Sequence, residues 1–167
     1  MSSLCDVPAQ DIRKDIVIAV GNILAGDEGI GPILLAELVK SYKLSDIDWV
    51  DAGSGGLSIL YLLEKRKQAL ILDCGMWGAL PGTYRIFSAS QAISTKALKS
   101  FSLHEGDLLN LLKLGEEIFN LKLSKISIMA IQPKTVELGR ALSEDLRERI
   151  PEYLKAIAGF WDLKPKD

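Results

Sequence analysis

Two adjacent carboxylates, Asp27 and Glu28, lie in a glycine-bracketed loop within IVIAVGNILAGDEGIG, residues 16–31. Acids placed this way can ligate a cation, move a proton as general acid or base, or recognise a peptide. Two more carboxylates stand in matching positions. Asp51 follows Val50 at the head of DAGSGG, and Asp73 follows Leu72 at the head of DCGMWG. If the three apolar runs are parallel strands, their carboxyl ends share one edge of a sheet and the acids converge there. Grouped carboxylates repel, so they call for a cation, a shared proton or a basic substrate. An Asx-turn explains one such aspartate; three acids in equivalent positions point to a site. For Asp27 alone, stabilisation of a helix N-terminus is sufficient, at roughly 0.3–1 kcal/mol.

The single histidine, His104, lies in SLHEGDLL. Ser102 and Glu105 read as a capping box ahead of the apolar residues Leu108, Leu109, Leu111 and Leu112, which puts His104 in the first helical turn. A ring at a helix N-terminus tends to be neutral, the form that ligates metal. Glu28, Asp73 and His104 together would make a mixed oxygen and nitrogen site for an ion such as nickel or zinc. Cys74 is a possible soft ligand or nucleophile, but it has no Cys-x-x-Cys partner, and burial in the core is the favoured reading.

Strand, glycines and helix start are also the parts of a phosphate loop. Two carboxylates at a helix N-terminus would repel a phosphate. No Gly-Lys-Ser/Thr follows, and GDEGIG has the spacing Gly-x-x-Gly-x-Gly, not that of the dinucleotide fingerprint.

The elements that must position these residues alternate. Strands are expected at 16–20, 47–50, 69–72, 83–87 and 125–131, and helices at about 29–42, 57–64, 102–114 and 143–158. This order predicts a three-layer α/β sandwich, with a twisted, mostly parallel five-stranded sheet and helices on both faces. The connection through LPGT, residues 80–83, is too short for a helical crossover, so the strand after it should run antiparallel to the one before. The polar stretch 88–101 is expected to be a mobile loop able to close over a bound chain.

The 167 residues fit one domain, expected over 15–160, with a flexible N-terminal tail at 1–14 and a C-terminal tail at 161–167. A net charge of −2 offers no basic footprint for nucleic acid. The N-terminus lacks the apolar core of a signal peptide, and no stretch suits a bilayer span, so a cytoplasmic location is expected.

These motifs together resemble the hydrogenase maturation endopeptidases, which remove a C-terminal extension from the nickel-loaded large-subunit precursor of nickel-iron hydrogenases. The resemblance rests on GNILAGDEGIG, DAGSGGL, LDCGMWGALPGT, SLHEGDLL and IMAIQPKTVELG, in that order. It implies an α/β sandwich and an aspartyl-type endopeptidase. It further implies that Glu28, Asp73 and His104 hold the positions of the metal-contacting residues and that Asp51 matches a further acid associated with activity. The nickel then belongs to the substrate, no tightly bound cofactor is expected, and the partner is the large-subunit precursor. The chain departs from the family at Cys74, where a small aliphatic residue is common, and near Gly53 and Ser54, where a Gly-Thr pair is.

His104 is assigned to metal contact, so a Ser-His-Asp or Cys-His arrangement would have to reuse it. Water attack assisted by Asp51 with Glu28 or Asp73 is the preferred chemistry. A non-hydrolytic metal-binding or chaperone-like module, or an acid-dependent peptidase with another protein substrate, is the alternative.

Overall fold

The computed structural model describes residues 14–44, 46–94 and 108–166 and the backbone of 102–103. A sheet runs in the order β2-β1-β3-β6-β4, from β1 (Asp15–Ala19), β2 (Ile47–Asp51), β3 (Ala69–Met76), β4 (Tyr84–Ser88) and β6 (Ile126–Ile131); β5 (Ser102–Leu103) pairs with β3 off this path. Strands β1, β2, β3 and β6 are parallel, and β4 is antiparallel to β6. The mostly parallel sheet and its helical layers agree with expectation. β4 also runs in the expected direction, but β6 lies between it and β3.

Alternation along β1 builds the layers. Ile16 and Ile18 face one apolar cluster, completed by α2 (Ser58–Leu63), α3 (Ala89–Ser94) and α4 (Leu108–Phe119). Val17 faces the other, formed with α1 (Ile30–Ser41), α5 (Glu144–Arg147) and α6 (Ile150–Trp161). Both faces of β1 and β3 are therefore dry, as their near-continuous apolar sequences require.

Several boundaries differ from expectation. β3 continues through Asp73 and Cys74, because Asp73 pairs with Ala130, Cys74 with Ile131, and Gly75 with Leu103 of β5. Asp51 likewise closes β2 and does not follow it. Ser102 is in a strand, so it is not the N-cap of the next helix, which starts at Leu108. Residues 104–107, with His104 and Glu105, lie outside the described residues. The stretch at 88–101 is not all loop. Gln91 N–H donates to Ser88 Oγ and Ser88 N–H to Gln91 Oε1, each at 3.2 Å, a reciprocal capping box that starts α3.

The expected helix 143–158 is two helices. Pro151 lacks the N–H that would bond the carbonyl of Arg147, so α5 stops and α6 restarts with the proline in its first turn. Beyond α6, Lys43 N–H donates to the Lys164 carbonyl and Lys166 N–H to the Ser41 carbonyl, each at 2.9 Å, tying 161–166 to the end of α1. Residues 1–13, most of the expected N-terminal tail, lie outside the described residues.

Candidate active site at the carboxyl edge

Strand order reverses at β1: the chain passes from β1 outward to β2, then back across to β3 on its other side. Open α/β sheets bind ligands in the crevice at such a switch point. Glu28 and Asp73 belong to the elements that flank it. Glu28 sits in a 3-10 turn, Gly26–Gly29, that leads from β1 into α1, and Asp73 sits near the end of β3. Both are buried, Glu28 with 6% and Asp73 with 2% of its surface exposed.

Two glycines seat the elements that carry them closely against each other. Gly21 has φ +144, and a Cβ there would lie 1.9 Å from the Glu28 carbonyl oxygen. A Cβ at Gly31 would lie 2.5 Å from the Val20 carbonyl oxygen and 2.8 Å from that of Leu72. Only glycine lets the turn and the start of α1 seat directly on the ends of β1 and β3.

Asp27 performs a different task from its neighbour. It is fully buried, and its carboxylate accepts from Lys134 N–H (2.7 Å), Thr135 N–H (3.2 Å), Ser143 N–H (2.7 Å) and Ser143 Oγ (2.8 Å). With Asp27 N–H donating to the Thr135 carbonyl and Gly26 N–H to that of Arg140, the Glu28 turn is sewn to the segment after β6. This exceeds the helix-end role that sequence assigns to Asp27, and its fixity passes to Glu28.

Asp51 lies apart. Its register partner on β1 is Ala19, whose other neighbour is Leu72 of β3. Asp51 and Asp73 thus share the carboxyl edge but stand on strands separated by β1, at about 10 Å by ordinary strand spacing. Asp51 is exposed, and its Oδ1 accepts from Gly53 N–H at 2.8 Å, an Asx-turn. Gly21 N–H in turn donates to the Gly53 carbonyl at 2.7 Å, linking this loop to the one that carries Glu28.

The Asp73 Oδ1 atom accepts from Cys74 N–H at 2.7 Å. Cys74 itself is fully buried on the opposite face of β3, within the cluster of α1 and α6. Burial pushes its thiol pKa well above the ordinary value, reinforced by the negative charges of Asp73, Asp27 and Glu28. Its burial among apolar side chains on that face is that of a core residue, the reading favoured by sequence. Among the described residues, no three of His, Cys, Asp and Glu are grouped to hold an ion. His104, the third member of the expected set, lies outside them.

Gln132 was not singled out as a site residue by sequence. It is buried after β6, and its Oε1 accepts from Trp77 N–H (2.9 Å) and Ala79 N–H (3.3 Å). It clamps the strap that leaves β3 three residues beyond Cys74. Its signal was the IQP segment, where a polar residue ends an apolar strand just before a proline.

A family model described as HycI, hydrogenase maturation protease, matches residues 33–159. Over 142 residues the chain is 26% identical to a hydrogenase expression/formation protein, HupD, from Rhizobium leguminosarum bv. viciae, covering 84% of this chain and 70% of that protein. Among solved structures, it superposes on the hydrogenase maturating endopeptidase HybD from E. coli with a TM-score of 0.74 at 19% identity, covering 92% of this chain and 98% of that one. HycI, a nickel-iron hydrogenase maturation protease from Thermococcus kodakarensis, gives 0.69 at 20% identity, with 90% and 93% covered.

Proposed function

The chain belongs to the hydrogenase maturation protease family, and from that premise we propose that it removes the C-terminal extension of a nickel-iron hydrogenase large-subunit precursor after reading the precursor's nickel through Glu28, Asp73 and His104. The observation that supports this best is the burial of Glu28 and Asp73 on either side of the β1/β3 switch point. Two carboxylates held out of water at one crevice gain from meeting a divalent cation, and the substrate carries it in.

Hydrolysis then needs one water and a path for its protons. The water oxygen attacks the scissile carbonyl while a carboxylate takes its proton, and the tetrahedral intermediate expels the amine as a proton is returned to nitrogen. Asp51 suits the proton-handling role, because it is exposed at the rim on the edge that bears Glu28 and Asp73. Glu28 and Asp73 position the substrate's metal and, through it, the peptide. The reading calls for no tightly bound cofactor and places the enzyme with its precursor in the cytoplasm. Among the described residues no helix is long and apolar enough to cross a membrane.

The test is the intact mass of a nickel-loaded precursor incubated with this protein, beside a nickel-free precursor and a His104→Ala variant. Loss of a C-terminal peptide only with nickel and intact His104 is the expected result. Cleavage of the nickel-free precursor at the same rate would remove the metal-reading role, and no cleavage of any cognate precursor would return the site to metal binding without hydrolysis.

A further inference from the structure

In the layer formed by α2 and α4, several apolar side chains are exposed. Leu57 and Tyr61 are one turn apart along α2 and its cap, and Leu114 and Ile118 one turn apart on α4. Tyr61 and Ile118 are each 62% exposed, and the Tyr61 ring meets Phe119 edge-on at 5.9 Å between centroids. The helices approach closely because Gly115 faces Leu60 and Leu121, where a Cβ would lie 2.8 and 2.6 Å from their methyl groups. The result is a shallow apolar groove. Exposed apolar side chains grouped on two packed helices are the kind of surface that protein contacts use.

The groove has direction. Its upper end, Leu57, follows directly on the Asp51 loop, residues 51–56, and so starts at the carboxyl edge. Its lower end opens into a cleft of about 450 Å³ that includes Phe119 and carries Lys65, Arg66, Lys122 and Lys125 against one acid, Glu64. Arg66 is bound to Asp48. Among the described residues none of the three lysines is in an ion pair. The carboxyl ends of α2 and α4 both point here, which explains a lysine at each. It does not require an open cleft or the apolar groove that leads to it.

We infer that the α2/α4 groove and its basic cleft form a second docking site for the substrate protein, gripping a segment of the precursor that carries apolar side chains followed by carboxylates. The inference rests on the function proposed above, since the occupant is the same precursor. Continuity with the Asp51 loop and three lysines without an ion pair among the described residues select this occupant: a chain engaged at the carboxyl edge extends towards the groove, and an acidic segment gains from ending in the cleft. The site sets affinity for the folded precursor and leaves the chemistry at Glu28, Asp51 and Asp73 alone.

The experiment uses the full chain and a purified nickel-loaded large-subunit precursor. Two double variants at exposed positions, Tyr61→Asp with Ile118→Asp and Lys122→Glu with Lys125→Glu, are compared with wild type for precursor affinity and for cleavage rate at saturation. Unchanged thermal melting serves as the folding control. Affinity should fall tenfold or more in each, with the saturated rate within twofold of wild type and a weaker salt dependence in the lysine pair. Wild-type affinity in both pairs, beside a wild type that cuts the precursor, would overturn the docking site alone. So would a wild-type dimer that the first pair dissociates without loss of affinity. A wild type that binds but never cuts the precursor would overturn the proposed function.

Discussion

Ser143 lies 116 residues from Asp27 along the chain, yet donates to it twice, from its backbone N–H at 2.7 Å and its hydroxyl at 2.8 Å. The pair closes the longest-range polar link around the candidate site. It joins the turn after β1 to the chain after β6, so the position of Glu28 depends on residues from both ends of the domain.

Asp27→Ala removes the acceptor for three backbone N–H groups and one hydroxyl in a buried setting, and should cost about 3 kcal/mol. For a domain of this size that lowers the melting temperature by about 6–12 °C. Below the melting range the variant should also cleave more slowly, because Glu28 loses its anchor. Asp27→Asn should recover little, since its amide would present a donor to N–H groups that need an acceptor. Calorimetry together with precursor cleavage at 20 °C checks both effects.

Glu28→Gln and Asp73→Asn keep shape and remove charge at the switch point. Each should lower precursor cleavage by at least about 100-fold, as expected when a group that holds or activates the reacting centre is lost. Asp51→Asn keeps the Asx-turn acceptor for Gly53 N–H, so its fold should be unchanged while cleavage falls. Full activity in Asp51→Asn and Glu28→Gln would remove carboxylate-assisted hydrolysis as the mechanism.

Much of this arrangement is legible in residue order. Glycine-bracketed acids after apolar runs locate Glu28, Asp51 and Asp73 at one sheet edge; the parallel register puts Asp51 and Asp73 there, and Glu28 lies in the turn that follows β1. The period-2 and period-3.6 signals are local, so they identify elements but not their neighbours. For that reason β6 between β3 and β4, the antiparallel β5 and the apartness of Asp51 were not foreseeable from pattern. The Asp27 knot depends on a partner 116 residues away and leaves no local signature. Two misses did carry a local signal: the Ser88-x-x-Gln91 capping box of α3, and Pro151 dividing α5 from α6.

Gly31→Ala should separate geometry from chemistry. The added methyl would press on the carbonyls of Val20 and Leu72, and backbone atoms cannot yield as a flexible side chain can. The start of α1 must lift from the ends of β1 and β3, displacing the turn that carries Glu28. We expect cleavage to fall by about 100-fold, the order of loss that a misplacement near 1 Å produces. The far-UV spectrum should remain native. Wild-type cleavage in Gly31→Ala would show that the close seating of α1 does not matter to the site.

Cys74 should remain silent to thiol reagents at pH 8 in a Cys5→Ser background until the chain is unfolded, because its thiol is buried and held protonated. The same shift fixes the sign of a pH effect. The folded pKa lies above the ordinary value of 9.0, so above that pH the unfolded chain loses a proton that the folded chain retains. Stability is then whole below pH 9 and falls as pH rises, by about 1.4 kcal/mol for this group at pH 10. Tyr153, buried against Gly82 and likewise raised from 10.0, adds to the fall at higher pH. Urea unfolding from pH 7 to 10 should show a slope reduced by about one proton in Cys74→Ala, with cleavage of the precursor retained at pH 7. An unchanged slope would mean that Cys74 ionises in the folded protein, and loss of cleavage would return it to the metal's ligand set.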